Sequence, residues 1–118
     1  MNRLDGKTAL ISGASRGIGE AAARLMISVG ANVIIGDILK TKGEETAERL
    51  GPNAKFIHLD VTDENDWSNA VDLAVDQFGG LDILVNNAGL FLGRDFSDIS
   101  IDDWNRLANV NMTGVWLG

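Results

Sequence analysis

Between Ser12 and Gly19 the chain reads Ser-Gly-Ala-Ser-Arg-Gly-Ile-Gly, and Asp37 follows at the end of the next apolar run. Three glycines so placed permit a tight turn, let a pyrophosphate approach the backbone, and let a helix pack closely on a sheet. If a helix starts within the run, its first-turn N–H groups and positive dipole favour an anion. Glycines also make ordinary turns, and the spacing differs from the common dinucleotide fingerprint, with the extra residues between the first and second glycines. Placement between a strand and a helix is what tilts the reading toward phosphate binding. Asp37 stands near the spacing at which a carboxylate meets an adenosine ribose. It can accept hydrogen bonds from both ribose hydroxyls and would repel a 2′-phosphate, which favours NAD over NADP. A turn or helix-capping aspartate is the alternative. Arg16, basic and within the loop, could meet a 2′-phosphate, but the charge of Asp37 belongs at the ribose edge whatever Arg16 does.

The elements that position these residues alternate in type. Thr8–Ile11 is a buried-strand signal running straight into the glycines, and a helix is expected from Gly17 to about Val29. Its apolar face is expected at Ala22, Leu25, Met26 and Val29, with Gly30 as the stop. Val33-Ile34-Ile35 makes a second strand, Thr41–Leu50 a polar helix ended by Gly51-Pro52, and Lys55–Leu59 a third strand. Thr62 is expected to cap the next helix, with Asp63, Glu64 and Asp66 near the positive end of its dipole. Trp67, Ala70, Val71, Ala74, Val75 and Phe78 fall on one face of that helix. Leu81–Val85 reads as a fourth strand. Ser100 caps a last helix, whose inner face is expected at Trp104, Leu107, Ala108, Asn111 and Val115. Strands separated by helices imply parallel crossovers. The fold class is therefore α/β, a doubly wound parallel sheet of the Rossmann type, incomplete at about four strands with flanking helices.

Bulk composition narrows the partners. The 118 residues suit a single domain and carry a net charge of −7, which opposes nucleic acid as a partner. No apolar run is long enough to cross a bilayer. The N-terminal segment runs into strand almost at once, so no secretory leader is expected and a cytoplasmic location is the default expectation. There is no cysteine and one histidine, His58, so no metal site is expected. His58 reads as structural or exposed, and the three tryptophans, Trp67, Trp104 and Trp116, as helix anchors.

Three more signatures join the glycine loop: Asp60-Val61-Thr62 after the third strand, Asn86-Asn87-Ala88-Gly89 after the fourth, and Asn109-Val110-Asn111-Met112-Thr113-Gly114 on the last helix. Together, from Lys7 to Gly118, they resemble the short-chain dehydrogenase/reductase family. The stretch from His58 to Trp67 and the ending Thr113–Gly118 are most similar to members acting on secondary alcohols and hydroxysteroids. The resemblance implies that Gly13, Ser15, Gly17, Ile18 and Gly19, with Arg16 among them, hold the pyrophosphate and the neighbouring sugar, and that Asp37 binds the adenosine ribose. It places Asp60, Val61 and Val110 around adenine, and Asn87, Ala88 and Gly89 beneath the cofactor. Asn86 would tie the central strands together. Asn111 would be the catalytic asparagine that holds a water in the proton relay. Read from residue type alone, Asn86 and Asn87 could make a turn, and Asn111 could satisfy buried backbone groups. Ser12 stands where the family usually has threonine, a change that keeps the hydroxyl.

The resemblance also implies a tyrosine, a lysine and a serine for proton transfer to an alcohol or carbonyl substrate. The sequence has no tyrosine, and Lys7, Lys40, Lys42 and Lys55 all precede the position the family uses; Ser97 and Ser100 come too early. Residues 1–118 are accordingly expected to be a partial dinucleotide-binding domain, cut within its last helix, from a parent oxidoreductase acting on a small-molecule alcohol or carbonyl. A non-catalytic NAD-binding module and an assembly partner are the alternatives. The last helix resembles a subunit-contact helix, so the parent is expected to be a homo-oligomer.

Overall fold

The structure is a computed structural model that describes residues 3–118. Four strands, β1 (Thr8–Ser12), β2 (Asn32–Asp37), β3 (Ala54–His58) and β4 (Ile83–Val85), form one sheet in the order β3-β2-β1-β4. Every pairing is parallel, with Leu10 opposite Ile34 on one side and Leu84 on the other. The helices between them are α1 (Gly17–Ser28), α2 (Lys40–Leu50) and α3 (Glu64–Phe78). After β4 a loop carries a short 3₁₀ turn at Phe96–Asp98. It leads to α4 (Ile101–Ala108), a π-helical stretch (Asn109–Thr113) and α5 (Gly114–Leu117).

Alternation along the strands divides the core in two. Ala9, Ile11, Val33 and Ile35 face α1 and α2, packing against Ala23, Met26, Ile27 and Ala47. Leu10 and Ile34 face the other way, onto Trp67, Ala70 and Ala74 of α3 and, further along, Val110 and Leu117. Both faces of β1 and β2 are therefore covered, which is why these strands read as continuous apolar runs rather than as alternation. β1→β2→β3 progresses to one side and β4 returns on the other side of β1. That reversal opens a crevice at the carboxyl ends of β1 and β4, where α/β sheets bind ligands.

Several expected details shift. In α1 the inward residues are Gly19, Ala22, Ala23, Met26 and Ile27, so Ala22 and Met26 fall where expected, while Leu25 is 66% exposed. In α3, Val71 and Val75 lie toward solvent, and Ala70, Ala74 and Trp67 carry the contact. The fourth strand is shorter than Leu81–Val85, holding only three residues. The cap of α3 is Asp63, not Thr62: its carboxylate accepts from the N–H of Asn65 at 2.8 Å and of Asp66 at 3.4 Å. Thr62 instead turns back to Asp60, because the short Asp60-Val61-Thr62 turn brings its hydroxyl to that carboxylate first. Ser100 caps α4 as expected, in a reciprocal capping box with Asp103. Among the tryptophans only Trp67 is buried, its indole N–H donating to the Val61 carbonyl at 2.9 Å; Trp104 and Trp116 are exposed.

The reassigned cap gives a direct test. Asp63→Ala should lower stability by about 1 kcal/mol in a denaturant titration. An unchanged midpoint would mean that the first turn of α3 draws nothing from this carboxylate.

Candidate functional site

The glycine loop is shaped by backbone contacts from three sides. Gly13 and Ala14 donate their N–H groups to the Gly36 carbonyl at the end of β2, at 2.7 and 3.2 Å. Gly13 sits at φ +70° and Gly17 at φ +62°, in the left-handed region that side-chain-bearing residues rarely adopt. Gly19 is required for a different reason. A Cβ there would lie 2.5 Å from the Gly13 carbonyl oxygen, 2.7 Å from Asn87 Nδ2 and 2.9 Å from Ala14 Cα. The first turn of α1 thus rests directly on the loop. The N–H groups of Arg16, Gly17, Ile18 and Gly19 meet no protein acceptor among the described residues.

The segment after β4 closes this arrangement from the other side. The Ser12 hydroxyl accepts from the N–H of Asn87 at 3.1 Å and of Ala88 at 3.0 Å. Asn87 in turn donates its side-chain amide to the Gly13 carbonyl at 3.1 Å. Two asparagines fasten this segment to the last helix, Asn86 reaching out from the segment and Asn111 reaching in from the helix. Asn86 Nδ2 reaches the Val115 carbonyl at 3.5 Å rather than a neighbouring strand. Asn111 donates to the Leu90 carbonyl at 2.8 Å and accepts the Leu90 N–H at 2.7 Å. Both amide atoms of Asn111 are thereby engaged by one residue of the loop, and Asn111 itself lies in the π-helical stretch.

These pieces enclose an open cleft of about 430 Å³. It is lined by Gly13, Arg16 and Gly17 from the loop, Asp37 from β2, Asp60 and Val61 after β3, Asn87, Ala88 and Gly89 after β4, and Val110 from the π-helical stretch. Each of these belongs to the sequence motifs described above, and the fold brings them together. Ser15 and Gly19 lie beneath the surface of the cleft rather than on its wall. Ile18 is outside the lining and 82% exposed, and Asn111 stands behind Leu90. Ile38, Leu39, Leu59, Leu90 and Arg106, which lie outside those motifs, complete the wall. Ile38 and Leu39 could have been noticed as apolar residues directly following the aspartate; Arg106 carries no local signal, since only the path of α4 brings it to the rim.

Two carboxylates in the cleft are anchored by protein donors. Asp37, 8% exposed, receives the Ser15 N–H at 3.1 Å and the Ser15 hydroxyl at 2.6 Å on Oδ2, and the Leu39 N–H at 3.1 Å on Oδ1. Asp60 Oδ1 accepts from the hydroxyl and the N–H of Thr62, at 2.7 and 2.9 Å. These two bonds, side chain first, hold the Asp60 carboxyl below the usual carboxylate range, against the opposing effect of burial and with help from nearby His58. His58 itself is exposed and pairs with Asp66 at 3.1 Å. Among the described residues no group of three or more acidic or histidine side chains could hold a metal ion, and no helix is long and apolar enough to cross a membrane.

The description of the short chain dehydrogenases matches residues 7–118. The chain belongs to the short-chain dehydrogenase/reductase family. It is 47% identical over 116 residues to a 3-alpha-(or 20-beta)-hydroxysteroid dehydrogenase of Mycobacterium tuberculosis, covering 98% of this chain and 45% of that protein. It is 43% identical over 126 residues to the trans-4-hydroxycyclohexanecarboxylate dehydrogenase of Sinomonas cyclohexanicum, covering 99% of this chain and 49% of the other. Among solved structures, a 3-ketoacyl-(acyl-carrier-protein) reductase from Brucella melitensis complexed with NADH superimposes with a TM-score of 0.92. The two are 38% identical, over 97% of this chain and 47% of that one. The chain spans about half the length of the curated relatives it matches. The resemblance read from the four motifs and the doubly wound parallel sheet are both borne out by these matches.

Two outcomes follow from the site geometry. Gly19→Ala should cost about 1–3 kcal/mol of stability in denaturant unfolding, because the added carbon meets backbone that cannot retreat without breaking the Gly13 and Asn87 contacts. Asp60 gives a pH signature. Its lowered carboxyl contributes stability that is present above about pH 4 and is lost as pH falls through the folded-state value. Thr62→Val should therefore destabilise by about 1 kcal/mol at pH 7, a figure kept small by solvent competition. That gap should close as pH falls through and below the lowered folded-state value, where Asp60 is protonated in both proteins. A gap independent of pH in acid unfolding would show that the Thr62 hydroxyl does not act through this carboxylate.

Proposed function

We propose that the cleft binds a nicotinamide adenine dinucleotide, with NAD favoured over NADP, and that the whole protein transfers a hydride between the nicotinamide ring and an alcohol or carbonyl substrate. The observation that carries this reading is the placement of Asp37 and the glycine loop in one cleft, with the N–H groups of Arg16 to Gly19 open to an anion. The residues fit such a ligand. A diphosphate needs convergent donors and room for close approach, and the loop offers both, with Gly13 and Gly17 on its wall and Gly19 packed below. A ribose needs an acceptor, which Asp37 supplies. A flat base needs apolar faces and a polar edge, for which Ile38, Val61, Val110 and Asp60 are at hand.

When bound, the dinucleotide would supply the hydride, while the protein orients it and shapes the electrostatics. In this reading Asn87, Ala88 and Gly89 pass under the ligand, and Ser15 serves the ribose end through Asp37 rather than touching phosphate. Ile18, exposed at the mouth, covers a sugar only if its side chain folds over the bound ligand. For Asn111 the proposed catalytic contribution passes through the Leu90 loop it fixes, since its side-chain amide is already engaged there. The preference for NAD rests on Asp37 at the cleft wall; Arg16, also on the wall, makes no ion pair among the described residues and is the group that a 2′-phosphate would seek. The relatives' names, a hydroxysteroid dehydrogenase among them, support an alcohol or ketone on an alicyclic skeleton as the substrate class. Exposed Trp104, Met112 and Trp116 on the last helix support self-association of the whole protein.

Calorimetric titration of the chain with NAD tests the reading, and folded protein that gives no binding heat would defeat it. Asp37→Arg should weaken NAD binding by about tenfold or more and shift preference toward NADP, through loss of a charge-assisted hydrogen bond and removal of the repulsion against phosphate.

A further inference from the structure

Below the cleft lies a chain of buried hydroxyl groups that the dinucleotide reading does not by itself require. Thr46, in the middle of α2, is wholly buried, and its hydroxyl donates to the Ser15 carbonyl at 2.6 Å. Ser15 is also wholly buried, and gives both its N–H and its hydroxyl to Asp37 Oδ2. A carboxylate has about four acceptor sites. Three of those on Asp37 are taken, two on Oδ2 by Ser15 and one on Oδ1 by the Leu39 N–H. What remains for a ligand is one acceptor position, and its direction is set by the donors that hold the other three. Ser15 is in turn held from behind by a single side chain, that of Thr46. A threonine in a helix interior is neutral to unfavourable for the helix itself, and a buried hydroxyl costs free energy unless it is bonded. The one strong acceptor it finds is the loop residue that grips the aspartate.

We propose that Thr46 is a positioning residue for cofactor selection: through Ser15 it fixes the Asp37 carboxylate so that a single acceptor site addresses one adenosine ribose hydroxyl, the one that is phosphorylated in NADP. This inference rests on the reading of the cleft as a dinucleotide site. Removing the Thr46 hydroxyl orphans the Ser15 carbonyl, frees the Ser15 peptide to move, and leaves the carboxylate without a fixed direction. Binding of the phosphates through the N–H groups of Gly17, Ile18 and Gly19 is retained, because these lie beyond the Ser15–Arg16 peptide whose carbonyl Thr46 holds.

The experiment is a set of calorimetric titrations of the full chain with NAD and with NADP, alongside thermal melts. Thr46→Val is expected to weaken NAD binding by about tenfold, the effect of one charge-assisted hydrogen bond. NADP affinity should change by less than about twofold, so that the preference narrows. Thr46→Ser should restore the wild-type ratio. In an Asp37→Ala background Thr46→Val should add nothing further, as expected of residues acting in series. The proposal is overturned if Thr46→Val leaves the NAD-to-NADP ratio unchanged, or if it weakens NAD equally with and without Asp37. Should Thr46→Val melt below the titration temperature, Ser15→Ala carries the same test, and an unaltered ratio there overturns the proposal as well. Wild-type protein that binds neither nucleotide would instead bring down the cofactor reading itself, a distinguishable result.

Discussion

The first turn of α1 lies so close to the carboxyl end of β1 that no carbon atom fits between them at Gly19. This contact of backbone on backbone fixes where the helix begins, how its axis meets the sheet and which N–H groups are left facing outward. It is held from both flanks. Gly36 at the end of β2 takes the N–H groups of Gly13 and Ala14, and Asn87, after β4, takes hold of the Gly13 carbonyl. The Ser12 hydroxyl fastens the Asn87-Ala88 segment to β1 in the same small volume. Neighbouring strands on either side of β1 thus converge on one loop, and every wall of the cleft is referenced to it.

The chain carries a net charge of −7, and two carboxylates stand in the cleft proposed to receive an anion. The arrangement is consistent because both carboxylates are held by donors of the protein itself. Asp37 is held by Ser15 and Leu39, and Asp60 by Thr62. Each is fixed in direction, so its charge falls at a defined part of the cleft rather than across it. Unpaired N–H groups of a helix start supply the opposing local potential. Over a few ångströms these fixed dipoles outweigh a diffuse net charge that salt screens within about 8–10 Å.

The last helix shows where periodicity misleads. A uniform 3.6-residue repeat places Trp104, Leu107, Ala108, Asn111 and Val115 on one face. The structure winds Asn109–Thr113 as π-helix, which takes more residues per turn. Beyond it the facing residues are Gly114 and Leu117, with Gly114 seated against Val61, while Val115 turns outward. The widened turn is also what presents Asn111 to both backbone groups of Leu90. In α1 and α3 the misplacements are smaller and have another cause. Small residues, Gly19, Ala23, Ala70 and Ala74, let the helices sit close to the sheet, so the contact stripe is narrow and larger neighbours such as Leu25 and Val75 are left at its margin.

The sequence by itself determined the alternation of strand and helix, the parallel sheet, the site of the glycine loop and the identity of most cleft-lining residues. These depend on short-range rules: glycine where a side chain cannot go, apolar runs where both faces are covered, and polar residues at the carboxyl ends of strands. Tertiary structure decided what those rules leave open. Whether Ser15 meets a ligand or Asp37, and whether Arg106 belongs to the cleft at all, depend on distances between segments far apart in the chain, and even the choice of Thr62 between capping a helix and holding Asp60 turns on the path of the backbone. The physical reason is that a hydroxyl or an amide bonds whichever partner the packing brings within about 3 Å, and residue type alone does not record which one that is.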